Sequence, residues 1–405
     1  MPECVLPMIR RLVTSLLLVA WLTAVHGANS VAPQTLVYIG TYTGAKSKGI
    51  YLSRLDSATG ALSVPELVAE TANPTFLAVH PNRRFLYAVN EMANPSGQSS
   101  PTVTAFGIEN ATGKLTMLNE QSTGGDGPCH IVMEPSGKNV LVANYGGGSL
   151  AVLPINADGR LGARTAFIQY HSSDLNPHRR TASHTHGITL DSANHFIFCA
   201  DLGLDQIFSY QFDSAHGALT PNVPPFVSLP LGSGPRHFVF HPTGRYGYVI
   251  NELASTVTAF TYDSKRGSLE ELQSISTVPD DFHEKTYAAE IAIHPNGQFL
   301  YASNRGHDSI AVFKIDNQTG KLTLIEHQSA QGKRPRNFGI DSTGKFLLVT
   351  NQDSDNIVVF QIDSKTGRLQ STGNDVAVNS PVCVIFVPQE AKMAAPTGFE
   401  PVYPD

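Results

Sequence analysis

The fold is decided by a segment that the chain repeats, PRHFVFHPTGRYGYVINE at residues 235–252. Each copy holds an alternating Phe- and Val-rich run, a turn built from Pro and Gly, and a second apolar run, which predicts two antiparallel strands. Similar segments recur at intervals of about 50 residues, a period typical of a propeller or a solenoid. They begin at Pro74, Pro128, Thr185, Pro235, Ala289, Pro335 and Pro381.

The remainder of each repeat predicts two further strands. In the copy that begins at Pro235, these are the runs at 256–262 and 268–274, joined by a Gly-ended hairpin. The last copy has no further strands, whereas the runs at 35–41, 49–55 and 62–69 lack a first strand. A ring leaves only short sheet edges exposed. We therefore predict an all-β, seven-bladed propeller of four-stranded antiparallel blades over residues 35–388, closed by pairing of its N- and C-terminal strands.

The two ends of the chain lie outside the repeat. Arg10 and Arg11 precede an apolar stretch at 12–25 and then small residues, which is typical of a signal peptide at residues 1–28. The stretch is short for a membrane span, although a retained membrane anchor is the alternative. We therefore predict export to the periplasm or the medium, without stable membrane insertion after cleavage. Residues 389–405 are predicted to be a disordered tail.

Composition narrows the function further. The chain of 405 residues carries a net charge of −6 and no long basic run, so we expect no nucleic-acid partner. Signal cleavage would leave Cys129, Cys199 and Cys383, an odd number without close spacing. This pattern predicts buried single thiols and no disulfide framework.

Polar residues collect at one end of the predicted ring. Residues equally far from a hairpin turn face each other, which predicts the pairs Arg236–Glu252, His130–Asn144, Glu290–Asn304 and Arg336–Gln352. All lie where a first strand begins and a second ends. Ionisable groups lining a cavity are costly without a role. The channel mouth is thus expected to gather His130, Asn144, Tyr145, His184, His186, Asp201, Arg236, His237, Asn251, Glu252, Glu290, Asn304, Arg305 and Arg336.

Some of these residue types have a structural alternative. An Asn that recurs at one blade position is typical of loop capping, and this set contains Asn144, Asn251, Asn304 and Asn351. Histidines in the turns are expected to be structural, namely His80, His241 and His294. A third set interrupts the repeat with a charge or an imidazole particular to one blade. We expect at least three of this set to contact ligand: His186, Arg236, Glu252, Glu290 and Arg305.

The chain resembles the lactonase family of seven-bladed propellers, which includes bacterial 6-phosphogluconolactonases and the fungal enzyme that cyclises carboxymuconate. The resemblance runs from about Leu36 to Val387. It is carried by GTYT at 40–43, NYGGGS at 144–149, GPRH at 234–237, NEL at 251–253, AEI at 289–291 and SNRG at 303–306. The muconate-cyclising branch implies a catalytic His, two Arg and a Glu. By motif these are His186, Arg236, Glu252 and Arg305, with His184 as the alternative histidine.

The resemblance implies hydrolysis of a sugar lactone, 6-phosphogluconolactone or a related aldonolactone. Glu252 is the predicted base, and Arg236 and Arg305 would bind the oxyanion or a substrate carboxylate or phosphate. His186 is the predicted acid. The predicted substrate contacts are His130, Asn144, Tyr145, His184, His237, Glu290 and Arg336.

Three further readings stay open. Calcium bound by acidic oxygens is disfavoured because arginines would repel it, and we expect neither a metal nor a cofactor. A carboxymuconate-type cycloisomerase could use the same residues in the lactone-forming direction. A propeller that binds a ligand or protein without chemistry is the alternative from another class. Export also leaves open whether the lactone is phosphorylated, because phosphogluconolactone is an intracellular metabolite.

Overall fold

The structure, a computed structural model, describes residues 34–92, 101–170 and 182–389. Within these ranges the regular elements are 28 strands in seven sheets of four, and no helix occurs among them. The described residues therefore contain no helix able to cross a membrane. The signal peptide predicted for residues 1–28 and the predicted tail, except Gln389, lie outside the described residues.

The seven blades are numbered in chain order, and the strands of each run from the innermost to the outermost. Blade 1 joins both chain ends: β28 (Pro381–Pro388), β1 (Gln34–Thr41), β2 (Gly49–Asp56) and β3 (Glu66–Glu70). Blade 2 contains β4 (Leu77–Val79), β5 (Phe85–Asn90), β6 (Thr102–Ile108) and β7 (Leu115–Ser122). Blade 3 contains β8 (Pro128–Met133), β9 (Asn139–Asn144), β10 (Ser149–Pro154) and β11 (Ala166–Gln169). Blade 4 contains β12 (Thr185–Leu190), β13 (Phe196–Asp201), β14 (Gln206–Asp213) and β15 (Ala218–Ser228).

The remaining three blades have the same order. Blade 5 contains β16 (Pro235–Phe240), β17 (Tyr246–Asn251), β18 (Thr256–Asp263) and β19 (Ser268–Ser276). Blade 6 contains β20 (Tyr287–Ile293), β21 (Phe299–Arg305), β22 (Ser309–Ile315) and β23 (Leu322–Ser329). Blade 7 contains β24 (Pro335–Ile340), β25 (Phe346–Asn351), β26 (Asn356–Ile362) and β27 (Leu369–Ala377).

The innermost strands form a closed ring. Each contacts the next in the order β4, β8, β12, β16, β20, β24 and β28, and β28 contacts β4. Strand β1 is antiparallel to β28, with Thr35 opposite Pro388 and Thr41 opposite Pro381. The predicted seven-bladed propeller and its closure by the two chain ends are therefore confirmed.

Apolar side chains fill the space between neighbouring blades, and buried tyrosines link the blades by hydrogen bonds. Four fully buried tyrosines each donate to a glycine carbonyl in the outer hairpin of the next blade. The pairs are Tyr38–Gly113 (2.7 Å), Tyr87–Gly159 (3.0 Å), Tyr248–Gly320 (2.9 Å) and Tyr301–Gly367 (2.8 Å). A hydrogen bond of this kind stabilises a fold by about 1 kcal/mol. The predicted buried single thiols, Cys129, Cys199 and Cys383, are confirmed as free and buried.

The first strand of most blades begins with a β-bulge, which the sequence did not predict. Pro235 lies opposite Asn251, but His237 lies opposite Ile250, so Arg236 is an extra residue. Equivalent shifts leave Cys129, His186 and Arg336 unpaired, and in blade 6 they leave both Ala289 and Glu290 unpaired. The predicted pairs Arg236–Glu252, His130–Asn144, Glu290–Asn304 and Arg336–Gln352 are wrong in register, because the hairpins pair one residue away from the predicted register beside the turn and the bulges shift the pairing further. Because a bulge re-aims a side chain, these shifts decide which residues reach the channel.

Candidate active site

One carboxylate and two arginines meet where blades 5 and 6 face the channel. Glu252 follows β17, Arg236 lies in the bulge of β16, and Arg305 ends β21. Oε2 of Glu252 lies 2.8 Å from Nη2 of Arg305 and 3.2 Å from Nε of Arg236. The arginine side chains are only 3% and 6% exposed, and that of Glu252 is 16% exposed. The structure thus brings together three of the four predicted catalytic residues despite the shifted register.

Backbone groups of blade 6 hold both arginines in place. Nη1 of Arg236 donates to the Ala289 carbonyl at 2.6 Å, and Nη2 of Arg305 donates to the Ala288 carbonyl at 3.1 Å. The N–H of Ala288 in turn donates to the Glu252 carbonyl at 3.2 Å. The Nε–H groups of both arginines are buried and make no hydrogen bond within the described structure, although Nε of Arg236 lies 3.2 Å from Oε2 of Glu252 as an ion pair. Such donors suit a negatively charged oxygen of a ligand.

Arg305 keeps its positive charge despite its burial. Burial, with the positive charge of Arg236, lowers the pKa of Arg305 to about 10, while Glu252 acts in the opposite direction. Burial and the charge of Arg336 also lower the pKa of Arg236. Arg305 is therefore still protonated at pH 7.

His186 lies in the bulge of β12 and is 4% exposed. Its Nδ1 is 3.9 Å from Sγ of Cys129, and its ring is edge-on to Tyr145 at 5.3 Å between centroids. Burial, followed by the positive charge of Arg236, lowers the pKa of His186 well below its ordinary value. The imidazole is therefore neutral at pH 7, which favours a proton acceptor and opposes the acid role that we predicted.

The alternative histidine, His184, lies against Tyr145 at the same mouth. The two rings are stacked with centroids 4.7 Å apart, and Nδ1 of His184 is 3.0 Å from the Tyr145 carbonyl. Neighbouring Asn144 is fully buried, and its amide donates to Oγ of Ser149 at 3.1 Å. These contacts favour the loop-capping alternative for Asn144 over a direct substrate contact.

A buried polar layer lies one residue further along the inner strands. Nδ1 of His237 is 2.9 Å from Oε1 of Glu290, whose Oε2 accepts from the Asn337 amide at 2.5 Å. The ring of His130 lies 4.6 Å from that of His237, and Nη1 of Arg236 is 3.3 Å from Nδ1 of His237. Burial raises the pKa of Glu290 and lowers those of His130 and His237. His237, a predicted substrate contact, thus lies against two others, His130 and Glu290, and next to Arg236.

Tyr42 and Glu91, which were not among the predicted site residues, also lie at the mouth. The guanidinium carbon of Arg336 lies 5.3 Å from the ring centroid of Tyr42. The Tyr42 hydroxyl donates to Oε1 of Glu91 at 2.9 Å. A sequence signal did exist, because Asn90-Glu91 repeats the Asn251-Glu252 pair at the same place in another blade.

The assembled mouth suits an oxygen-rich anion or a carbonyl that develops negative charge, because arginines flank its carboxylate. Among the described residues, no group of three or more His, Cys, Asp or Glu side chains is arranged to hold a metal ion. The expectation of neither metal nor cofactor stays a prediction.

Residues 36–386 match the family model described as lactonase, 7-bladed beta-propeller. The chain is 37% identical to the 6-phosphogluconolactonase of Bacillus subtilis, over 87% of this chain and 98% of that protein. It is 35% identical to a 6-phosphogluconolactonase of Formosa agariphila, over 75% and 86%. The solved structure of the Pseudomonas aeruginosa periplasmic gluconolactonase superposes with a TM-score of 0.82 at 33% identity, covering 88% of this chain and 100% of that chain. The chain belongs to the lactonase family of seven-bladed β-propellers.

Proposed function

We propose that this protein hydrolyses a sugar lactone at the channel mouth formed by Glu252, Arg236 and Arg305. The observation that carries the proposal is a partly buried carboxylate held between two buried arginines, 2.8 and 3.2 Å away. Family membership supports lactone hydrolysis as the reaction class, since two relatives bear the name 6-phosphogluconolactonase. The substrate is a small molecule, and we expect no nucleic-acid partner.

The proposed reaction uses one carboxylate for both proton transfers. Glu252 accepts a proton from water as the water oxygen attacks the lactone carbonyl carbon, and Arg236 and Arg305 stabilise the resulting oxyanion. When the bond from that carbon to the ring oxygen breaks, the protonated Glu252 returns the proton to the ring oxygen. The net change is addition of one water and formation of the open-chain acid.

His186 completes the proposed catalytic set in its neutral form. The neutral imidazole of His186 supplies a second proton acceptor at the same mouth, for the attacking water or for a substrate hydroxyl. His184 and Tyr145 line the adjacent wall and are proposed to contact the sugar.

A basic hollow beside Arg305 favours a lactone that carries a phosphate. It is lined by Lys285, Tyr287, Arg305, Gly306, Asp308, Lys333, Arg334 and Asp353. Asp308 pairs with Lys333 at 3.2 Å, and Asp353 pairs with Arg334 at 3.9 Å. Lys285, which lies 5.2 Å from the Tyr287 ring, has no acidic partner in the described part of the chain. We therefore propose that this hollow receives the phosphate while Arg305 also serves the lactone.

Export is part of the proposal. It is supported by the signal-like sequence of residues 1–28 and by the periplasmic location named for the related Pseudomonas aeruginosa gluconolactonase. Fractionation of cells that express the full chain tests this location.

The proposed function is tested by comparing the purified wild type with Glu252→Gln on 6-phosphogluconolactone and gluconolactone. Acid release is followed by pH-stat titration after subtraction of spontaneous hydrolysis. We expect the wild type to turn over lactone and E252Q to lose about two orders of magnitude in kcat or more, the usual share of a general base. Glu271→Gln, an exposed carboxylate on β19 of the same blade, is the matched control and keeps full activity.

The other outcomes decide between the alternatives. Lactone formation from carboxymuconate with no lactone hydrolysis would establish the cycloisomerase. No turnover of any of these compounds, together with measurable ligand binding, would favour a binding propeller. An unchanged kcat of folded E252Q would reject Glu252 as the base.

A further inference from the structure

A second Asn-Glu pair lies across the ring from the first. Asn90 ends β5 and Glu91 follows it in blade 2, as Asn251 ends β17 and Glu252 follows it in blade 5. Blades 2 and 5 are three places apart in a ring of seven, so their inner strands face each other across the channel. Both glutamates therefore reach the same mouth from opposite sides.

Glu91 is held by hydroxyl groups, whereas Glu252 is held by arginines. Oε1 of Glu91 accepts from the Tyr42 hydroxyl at 2.9 Å, and Oε2 accepts from the Thr75 hydroxyl at 2.6 Å. Thr75 has in blade 2 the inner-strand position that Arg236 has in blade 5. The backbone is also fixed, because the Glu91 N–H donates to the Asn73 carbonyl at 3.0 Å and the Asn73 amide donates to the Glu91 carbonyl at 3.1 Å.

Arg336 belongs to blade 7, which lies two places along the ring from both blade 5 and blade 2. It is the bulged residue of β24, and its guanidinium carbon lies 5.3 Å from the Tyr42 ring centroid. Among the described residues it makes no ion pair with a carboxylate. Burial by itself lowers the pKa of Arg336, but Tyr42, Glu91 and Glu252 outweigh burial and raise it. Arg336 is therefore a charged donor that packs over the Tyr42 ring.

We propose that Glu91 is a positioning residue of the site, which holds Tyr42 and through it Arg336 against a negatively charged oxygen of the substrate. The inference rests on the proposed function and adds to the site a second group of residues, Arg336, Tyr42 and Glu91. Arg336 contacts the substrate opposite Glu252, whereas Glu91 acts through Tyr42 and its own charge. Nothing is transferred to Glu91 during the reaction.

A double-mutant cycle with Glu91→Gln and Arg336→Met tests the coupling. Arg336→Met removes a cationic donor to the substrate, and we expect it to lower kcat/KM by about 100-fold, an effect comparable to the loss of one donor to a developing negative charge. We expect about a tenfold loss in kcat/KM for E91Q, and no further loss when E91Q is added to R336M, because residues that act as a unit are not additive. Tyr42→Phe keeps the ring beneath Arg336 but removes the hydroxyl, so it should lose activity in the wild-type background and none in R336M. Glu66→Gln, an exposed carboxylate on β3, is the control.

Independent losses that multiply in the double variant would overturn the inference, as would wild-type activity of both E91Q and Y42F. If E91Q does not fold, the Y42F and R336M pair decides alone. Calorimetric titration of all variants with 6-phosphogluconate gives a readout that does not require turnover. An inactive wild type would reject the proposed function, whereas the binding cycle would still show whether Glu91 acts through Arg336.

Discussion

The two ends of the channel use histidine in different ways. At the turn end, Nε2 of each turn histidine lies close to a glycine carbonyl in the turn of the next blade. These pairs are His80–Gly137 (3.0 Å), His241–Gly297 (2.8 Å) and His294–Gly344 (2.8 Å). At the mouth, imidazoles pack against each other, with centroids 4.6 Å apart for His130–His237 and 5.2 Å apart for His186–His237.

The difference shows that blade position decides what a histidine does. A turn histidine joins one blade to the next by a hydrogen bond, so its contribution is to stability. The mouth histidines are buried near Arg236, whose positive charge together with burial lowers their pKa values. Titratable groups beside a cavity whose pKa values are strongly shifted by burial and by nearby charges are typical of a functional site.

The largest expected effect is a contrast between the two ends: a mouth variant should lose kcat, and a turn variant should lose stability. His186→Gln should lower kcat by about 100-fold with little change in the free energy of unfolding, because a proton acceptor is lost at the mouth. His241→Ala should leave kcat unchanged and lose about 1–3 kcal/mol of stability, because its partner carbonyl loses a hydrogen bond. Steady-state kinetics and chemical denaturation of both variants measure the contrast. Equal effects of the two variants on kcat would remove the distinction.

The second effect concerns stability as the pH falls. His130, His186 and His237 have pKa values lowered well below the ordinary value by burial, so they are neutral in the fold but take up protons in the unfolded chain below about pH 6.5. The unfolded state then binds more protons, and each such group removes up to about 1.4 kcal/mol of stability per pH unit. Glu290, whose pKa is raised, offsets part of this loss. We expect the free energy of unfolding to fall between pH 7 and pH 5.5.

Matched variants locate the source of that pH dependence. His130→Gln should give a shallower decrease, because one neutral buried imidazole is removed from the mouth. His195→Gln alters an exposed histidine and should keep the wild-type slope. Denaturant titrations at both pH values measure this, and identical slopes for H130Q and the wild type would contradict it.

The smallest effect separates the basic hollow from the mouth. Lys285→Met should lower kcat/KM for 6-phosphogluconolactone by about tenfold and leave kcat/KM for gluconolactone unchanged. An exposed charge pair contributes little alone, but several neighbouring cations strengthen this one. Lys321→Met, at the exposed outer hairpin of blade 6, is the control. Equal losses on both lactones would show that the hollow does not select a phosphate.

The sequence predicted the ring because each blade repeats its own turn and strand pattern, and the unpaired strands at the two ends complete one blade. It did not predict the bulges, since a one-residue insertion at Arg236 or His186 leaves the apolar alternation of the strand unchanged. The contact of Glu252 with Arg236 and Arg305 nevertheless agrees with the expectation from the sequence, because the bulged side chain still reaches the residue after the second strand. The catalytic roles of the three residues stay predictions.

Glu91 and Tyr42 show a different limit. They were missed because their importance comes from contacts between blades, with Tyr42 in the loop after β1 and Glu91 in the loop after β5. The repeat of Asn-Glu at 90–91 and 251–252 was visible, but hairpin counting relates residues only within one blade.

The central claim is that a lactone is cleaved at the channel mouth formed by Glu252, Arg236 and Arg305. It is tested most directly by a crystal structure of Glu252→Gln with 6-phosphogluconate bound. We predict that the carboxylate of this product contacts Arg236 and Arg305, and that the phosphate lies beside Lys285. A product bound at the turn end near His241, or outside the channel, would contradict the account.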